Sequence, residues 1–180
     1  MSSVALQPAP VAPGLTGDRA TAAQPTQQYL LFCVGDETFA LDIRPVREII
    51  QYSALTVVPL MPDFVRGVIN LRGAVVPVID LQARFGRQRT EMGKKTSIII
   101  FDVGPPEDRI EMGVLVDAVS KVVDLGAADI EPPPQFGATI AREFIHGLGK
   151  VDSDFIVILE PERALSVDDM VALSERQSVL

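Results

Sequence analysis

The chain has 180 residues, 47% hydrophobic and 22% charged, with no Trp and one Cys. That composition fits one or two globular units and excludes a fibre or a wholly disordered chain. The single Cys33 excludes an intramolecular disulfide and a thiolate metal cage, and a net charge of -8 opposes sequence-independent binding of nucleic acid. No apolar stretch approaches the roughly 20 residues of a spanning helix, and the N-terminus lacks a basic and an apolar leader region, so a cytoplasmic protein without membrane insertion is expected.

Residues 1–26 carry four prolines, many Ala and Gln, only Asp18 and Arg19 as charges, and no hydrophobic period, which reads as a disordered Ala/Pro-rich tail. From Tyr29 onward the text becomes short apolar runs cut by turn residues: YLLFCV, TFALDI, VREIIQY, VINL and AVVPVIDL. Runs of this length, rich in Val, Ile and Phe, predict an all-β domain over 27–175. Pro77, within VVPVID, restricts its strand to an edge or a bulge. Asp80 is expected to cap a single helical turn through LQARF, ending at Gly86. Ser166 with Asp169 predicts a C-terminal helix in 166–180.

An internal repeat organises these strands. FALDIRPVREI (39–49) lies over MGVLVDAVSKV (112–122) at an offset of 73, and GVINLRGAVVPVID (67–80) over GLGKVDSDFIVILE (147–160) at an offset of 80. The apolar slots, Gly67 with Gly147, and Asp80 with Glu160 all coincide. The chain is thus read as a duplicated β unit of about 65 residues, with approximate copies at 27–90 and 95–165. Five short strands suffice for a small closed barrel, but a unit of that size is marginal alone, so the copies are expected to share an apolar seam. Charge divides between them: residues 27–95 hold nine Lys/Arg against seven Asp/Glu, and 96–180 hold six against sixteen. Either two faces serve two partners, or the acidic half is simply well solvated.

Catalytic and metal sets are missing. His146 is the only His, which leaves a triad or zinc site without partners. Cys33 lies in an apolar strand without a basic neighbour and reads as an inert core thiol. GLGK at 147–150 fails as a phosphate loop, because Phe144 stands at the first glycine position and Val151 replaces the hydroxyl residue. Asp80 and Glu160 are repeat mates at strand ends, where capping accounts for both. What stands out is Arg72, at the tip of the hairpin NLRGAVVPVIDL, either solvated or aimed at a partner. Glu48 interrupts the rhythm Val46, Ile49, Ile50, is expected on the face opposite Val46 beside the exposed side of the sheet, and could pair with Arg72. The second tip carries Asp152-Ser153 and so differs in sign. Arg84, Arg87, Arg89, Lys94 and Lys95 read as a solvated loop.

The run PDFVRGVINLRGAVVPVIDLQARFG, with LDIRPVREI before it and GVLVDAVSKVV, PPPQF and IHGLGKV after it, closely resembles the CheW coupling proteins of bacterial chemotaxis. The string G-V-x-N-L-R-G-x-V-V-P-V-I-D-L is shared chiefly with CheV adaptors and the regulatory domain of the kinase CheA, whose receiver and kinase domains 180 residues cannot hold. The resemblance implies two packed SH3-like five-stranded barrel lobes, with strand exchange between them allowed, and short helices. It implies no catalysis and no cofactor or metal. The implied function is a scaffold that contacts the regulatory domain of the histidine kinase CheA and the cytoplasmic tips of chemoreceptors, recruited to membrane arrays through those partners. It marks Glu48 and Arg72 as partner-binding, with Val46, Ile49, Gly67 and Asn70 on the same stretches and Val122 as the repeat mate of Ile49. A small β-barrel that binds a ligand or nucleic acid is the alternative. It would need interleaved aromatic and basic residues, whereas aromatics are 6% of the chain.

A chain starting at Thr26 is expected to keep a single cooperative thermal transition, because the tail offers no periodic apolar residues for burial. Calorimetry of that truncation against the full chain checks this.

Overall fold

The computed structural model describes residues 25–135 and 140–165; the expected C-terminal helix and nearly all of the tail lie outside them. Strands β1 (Thr26–Val34), β2 (Glu37–Asp42), β3 (Val46–Gln51), β4 (Val65–Leu71) and β5 (Ala74–Asp80) lead into a one-turn helix α1 (Leu81–Arg84). The second half repeats the order with β6 (Ser97–Val103), β7 (Ile110–Val116), β8 (Ala118–Gly126), β9 (Ile130–Glu131), β10 (Ile145–Val151), β11 (Asp154–Leu159) and α2 (Pro161–Ala164). Among the described residues no helix is long and apolar enough to cross a membrane.

The fold is all-β, two SH3-like lobes, but the sheets do not follow the chain. One has the order β8-β1-β2-β11-β10-β9 and the other β3-β6-β7-β5-β4. Each half therefore contributes its opening hairpin, β1-β2 or β6-β7, to the sheet of the other half. The division into sequential copies at 27–90 and 95–165 is corrected accordingly. The physical reason lies in β1 and β6, which are apolar on both faces. In β1, Tyr29 and Leu31 face one buried cluster while Leu30, Phe32 and Val34 face another; in β6, Ile98 and Ile100 oppose Ile99, Phe101 and Val103. A strand buried on both sides needs a packed layer on each. Exchange supplies both, giving an apolar filling in each lobe and a third, shared cluster between them built on Phe32, Phe39, Phe101 and Met112.

Five strands of each sheet correspond under the repeat, and β9 has the isolated Thr56 bridge as its counterpart. Both parallel contacts, β2 with β11 and β7 with β5, are equivalent. Bulges recur at Val65/Gly67 and at Ile145/Gly147, and the amide of Asp80 donates to the Phe64 carbonyl as that of Glu160 does to Phe144. Each lobe closes where the segment after β3 or β8 crosses the β4-β5 or β10-β11 hairpin. Thr56 bridges Val68, and β9 pairs Glu131 with Leu148. The conserved register of the two glycines follows from this crossing. A Cβ on Gly67, whose φ is +153°, would lie 2.4 Å from the Thr56 carbonyl oxygen, and one on Gly147 would lie 2.7 Å from that of Glu131.

Pro77 sits in β5, an interior strand rather than an edge. It is tolerated because its partner Val68 spends its amide and carbonyl on Thr56, and pairing of β5 with β7 begins only at Val78. The basic loop is also less solvated than its composition suggests. The Arg84 guanidinium lies 4.9 Å from the Phe64 ring centroid and 4.8 Å from that of Phe144, donates from Nε to the Ala164 carbonyl at 3.2 Å, and so ties α1 to α2. Arg87 pairs with Glu37 at 2.8 Å.

Gly67→Ala is expected to cost about 2–4 kcal/mol, combining backbone strain with a clash against a carbonyl. Gly73→Ala, at a position with nothing within 4 Å, is expected to cost about 1 kcal/mol. Urea titrations of the two variants give the comparison.

Candidate partner-binding site

The hairpin between β4 and β5 turns through Arg72 (φ 53°) and Gly73 (φ 86°), both in the left-handed region that a tight two-residue turn demands. Glycine adopts this freely, but for Arg72 it is strained, by about 1 kcal/mol. Asn70 offsets the strain by accepting the Gly73 amide on Oδ1 at 2.9 Å, which locks the turn. The chain thus holds a long cationic side chain, 69% exposed, at a fixed point.

Glu48 reaches that point because of a bulge. Val46 pairs with Phe101 and Glu48 with Ile100, leaving Arg47 as the extra residue. Strict alternation would put positions two apart on one face, with Glu48 toward the shared cluster beside Val46. The bulge instead turns Glu48 to the side of Ile50 and Ile100, so it does lie opposite Val46, but through the bulge and not through alternation, and on the side of the first lobe's own filling, not the exposed side of the sheet; the carboxylate emerges at its rim. There it accepts from Arg72 Nη2 at 2.5 Å while remaining half-buried.

The other sequence-derived positions divide. Val46 and Ile49 share the opposite face of β3, with Val46 packed on the shared cluster and Ile49 43% exposed. Gly67 is buried beneath Thr56 and offers no surface. Val122, 44% exposed, lies on β8 in the other sheet opposite Leu30.

One feature of the second lobe was not singled out from the sequence. Lys121 Nζ lies 3.5 Å from Asp152 Oδ2. Offsets of 73 and 80 carry Glu48 onto Lys121 and Arg72 onto Asp152, so this pair repeats the first with its polarity reversed. The same offsets relate the exposed neighbours Ile49 to Val122 and Val75 to Phe155.

Other polar groups are committed to structure. Asp80 is fully buried and accepts from Arg66 at 2.7 Å, from the Thr90 amide and hydroxyl at 2.8 Å each, and from the Gln82 amide at 3.0 Å, capping α1. Glu160 does not cap α2; its carboxylate meets His146 Nδ1 at 3.1 Å, in the place of the Asp80–Arg66 pair. Cys33 is half-buried, and GLGK runs within β10 as extended strand. An open cleft of about 570 Å³ is lined by charges of both signs, among them Asp42, Arg44, Asp102, Arg109, His146 and Glu160. Burial acts to raise the Asp42 carboxyl, but hydrogen bonds from the Arg44 side chain and backbone and from Gln27 outweigh it and hold the group below its ordinary value. Among the described residues no three His, Cys, Asp or Glu side chains gather as a cation site.

Strand exchange, equivalent bulges and matched glycine closures define a double-barrel domain, and comparison with known proteins agrees. The CheW-like domain model matches residues 28–169. The chemotaxis protein CheW of Klebsiella aerogenes is 38% identical over 144 residues, 80% of this chain and 84% of that protein. A probable chemotaxis protein CheW of Rhizobium etli is 36% identical over 143 residues, covering 79% and 90%. The crystal structure of the scaffolding protein TtCheW from Thermoanaerobacter tengcongensis superposes with a TM-score of 0.71 at 34% identity, covering 80% of this chain and 95% of that one. The chain belongs to the CheW-like family.

A double-mutant cycle of Glu48→Gln and Arg72→Gln, read by chemical denaturation, is expected to give a coupling of about 0.2–1 kcal/mol, the range for a partly exposed ion pair. So small a value would leave both side chains available to a partner at little cost to the fold.

Proposed function

We propose that this protein is a non-catalytic scaffold that couples chemoreceptors to the chemotaxis histidine kinase. It contacts the kinase's CheA-type regulatory domain and the receptors' cytoplasmic tips, works in the cytoplasm, and reaches membrane receptor arrays through those partners. The reading rests on family membership together with one local observation: Arg72 is kept at a left-handed turn position that favours glycine or asparagine, exposed, and aligned by Glu48 and Asn70. A strained residue held by its surroundings and facing solvent is the expected form of a recognition element. Val46 and Ile49, on the strand that carries Glu48, and Val122, the counterpart of Ile49 on the second lobe's edge strand, are further contact positions, while Gly67 serves the site by closing the barrel that carries it. The ligand- or nucleic-acid-binding alternative is not favoured, since the cleft's Asp42 and Arg44 are paired with each other, as are His146 and Glu160.

Arg72→Asp is the decisive variant. Surface substitution should change stability by about 0.5 kcal/mol, whereas reversing a charge buried against a partner costs on the order of 2–5 kcal/mol. Titration of the folded variant against an isolated kinase regulatory domain and a receptor-tip fragment is expected to show at least one affinity reduced more than about tenfold. Unchanged affinity for both would return Arg72 to the role of a solvated turn residue.

A further inference from the structure

We infer that Arg47 and Asp102 are positioning residues for the Glu48–Arg72 site: their ion pair pins the bulge that turns Glu48 toward Arg72, and so sets how tightly this edge of the first lobe holds its partner. The inference rests on the proposed use of that edge in coupling, and adds what keeps it in binding geometry.

Arg47 is the residue of β3 left without a place in the ladder, since Val46 pairs with Phe101 and Glu48 with Ile100. An unpaired bulge residue is where a strand is least restrained, and Glu48 follows it directly. Asp102 restrains it from both sides. Its amide donates to the Pro45 carbonyl at 3.0 Å, and its carboxylate accepts from Nε of Arg47 and pairs with Nη2. One residue of β6 thus grips β3 before and after Val46. The Asp102 side chain is only 8% exposed against 61% for that of Arg47, so the acid is the fixed member of the pair and the edge strand is what it steers. Arg47 is committed to Asp102 and Arg72 to Glu48, so the first pair acts on the second through the backbone that joins residues 47 and 48.

A comparison within the molecule separates this role from a requirement of folding. The second lobe carries the same bulge: Phe32 pairs with Val119 as Phe101 does with Val46, and the register breaks between Leu30 and Phe32. In the places of Arg47 and Asp102 stand Ser120 and Cys33, which can form no ion pair. The bulge therefore folds without this clasp. What differs is the pair that follows it. Glu48 and Arg72 meet in a hydrogen bond of 2.5 Å, whereas Lys121 and Asp152 stand 3.5 Å apart. The lobe with the clasp has the closely held pair, and the lobe without it has the looser one.

Arg47→Gln and Asp102→Asn in the full chain open the clasp and leave Glu48 and Arg72 in place. Each is expected to weaken binding of the kinase regulatory domain or the receptor-tip fragment, whichever Arg72→Asp affects, by about three- to tenfold. Both Arg47 nitrogens meet the single oxygen Oδ2, which a point charge can serve, so Arg47→Lys should stay within about twofold of wild type. The deciding comparison is made in Glu48→Gln. There Arg47→Gln should change affinity by less than about twofold, because a residue that acts through Glu48 has nothing left to position. Equal losses in both backgrounds would show that Arg47 touches the partner itself or acts through the fold, and would overturn the positioning role. Amide hydrogen exchange in the free protein gives a second readout: residues 47–50 should exchange about tenfold or more faster in Asp102→Asn, with Leu115 and Ile158 unchanged. Acceleration throughout the chain, or none at all, would also overturn it. Circular dichroism checks that each variant is folded. Clasp variants that bind like wild type while Arg72→Asp binds weakly would remove the clasp and leave the coupling role standing. Exchange needs no partner, so it still decides the clasp where Arg72→Asp leaves both affinities unchanged and the coupling role falls.

Discussion

Two strands that are apolar on both faces govern this architecture. YLLFC in β1 and SIIIF in β6 have no side that water can wet, so each must lie between two packed layers. A lone five-stranded barrel offers one such layer, its own interior. The other layer can come only from the second half, and lending the hairpins across makes the supply mutual. The shared cluster that results joins the lobes by more apolar contact than either encloses alone, so neither half has a complete interior without its counterpart.

Closure of each lobe is a separate requirement met by a small detail. Where the chain after β3 or β8 crosses the long hairpin, two backbones approach more closely than a Cβ permits, and Gly67 and Gly147 leave the room. Closure in turn fixes the hairpins whose tips carry Arg72 and Asp152. The glycines thus act on the site from beneath, and the tips can carry strained, exposed, charged residues because the strands below them are held on both sides.

The duplication is legible in the sequence because strand alternation, glycine spacing and terminal acids recur in register. The pairing of Glu48 with Arg72 is legible as well, since both interrupt apolar text. The exchange of hairpins is not, because both sequential and exchanged arrangements satisfy the same alternation; only the continuous apolar character of YLLFC and SIIIF hints at burial on two faces. The bulge at Arg47 is likewise silent, as no glycine or proline marks it. Arg84 misleads for a different reason. A basic residue in a basic loop reads as solvated, and nothing local shows that Phe64 and Phe144, 80 positions apart in the repeat register, converge on it. The Lys121–Asp152 pair could have been found by carrying Glu48 and Arg72 through the two offsets.

Arg84 also marks a place where the duplicated halves are unlike. Its partners, Phe64 and Phe144, are equivalent rings from the two halves, whereas its own counterpart in the second half is Ala164, whose carbonyl it binds. The slot between the rings therefore belongs to both halves but admits one guanidinium. Two first halves joined together would force two like charges into it, and two second halves would leave it lined with methyl groups. Only one half of each kind fills it, so at this residue the two halves are no longer interchangeable.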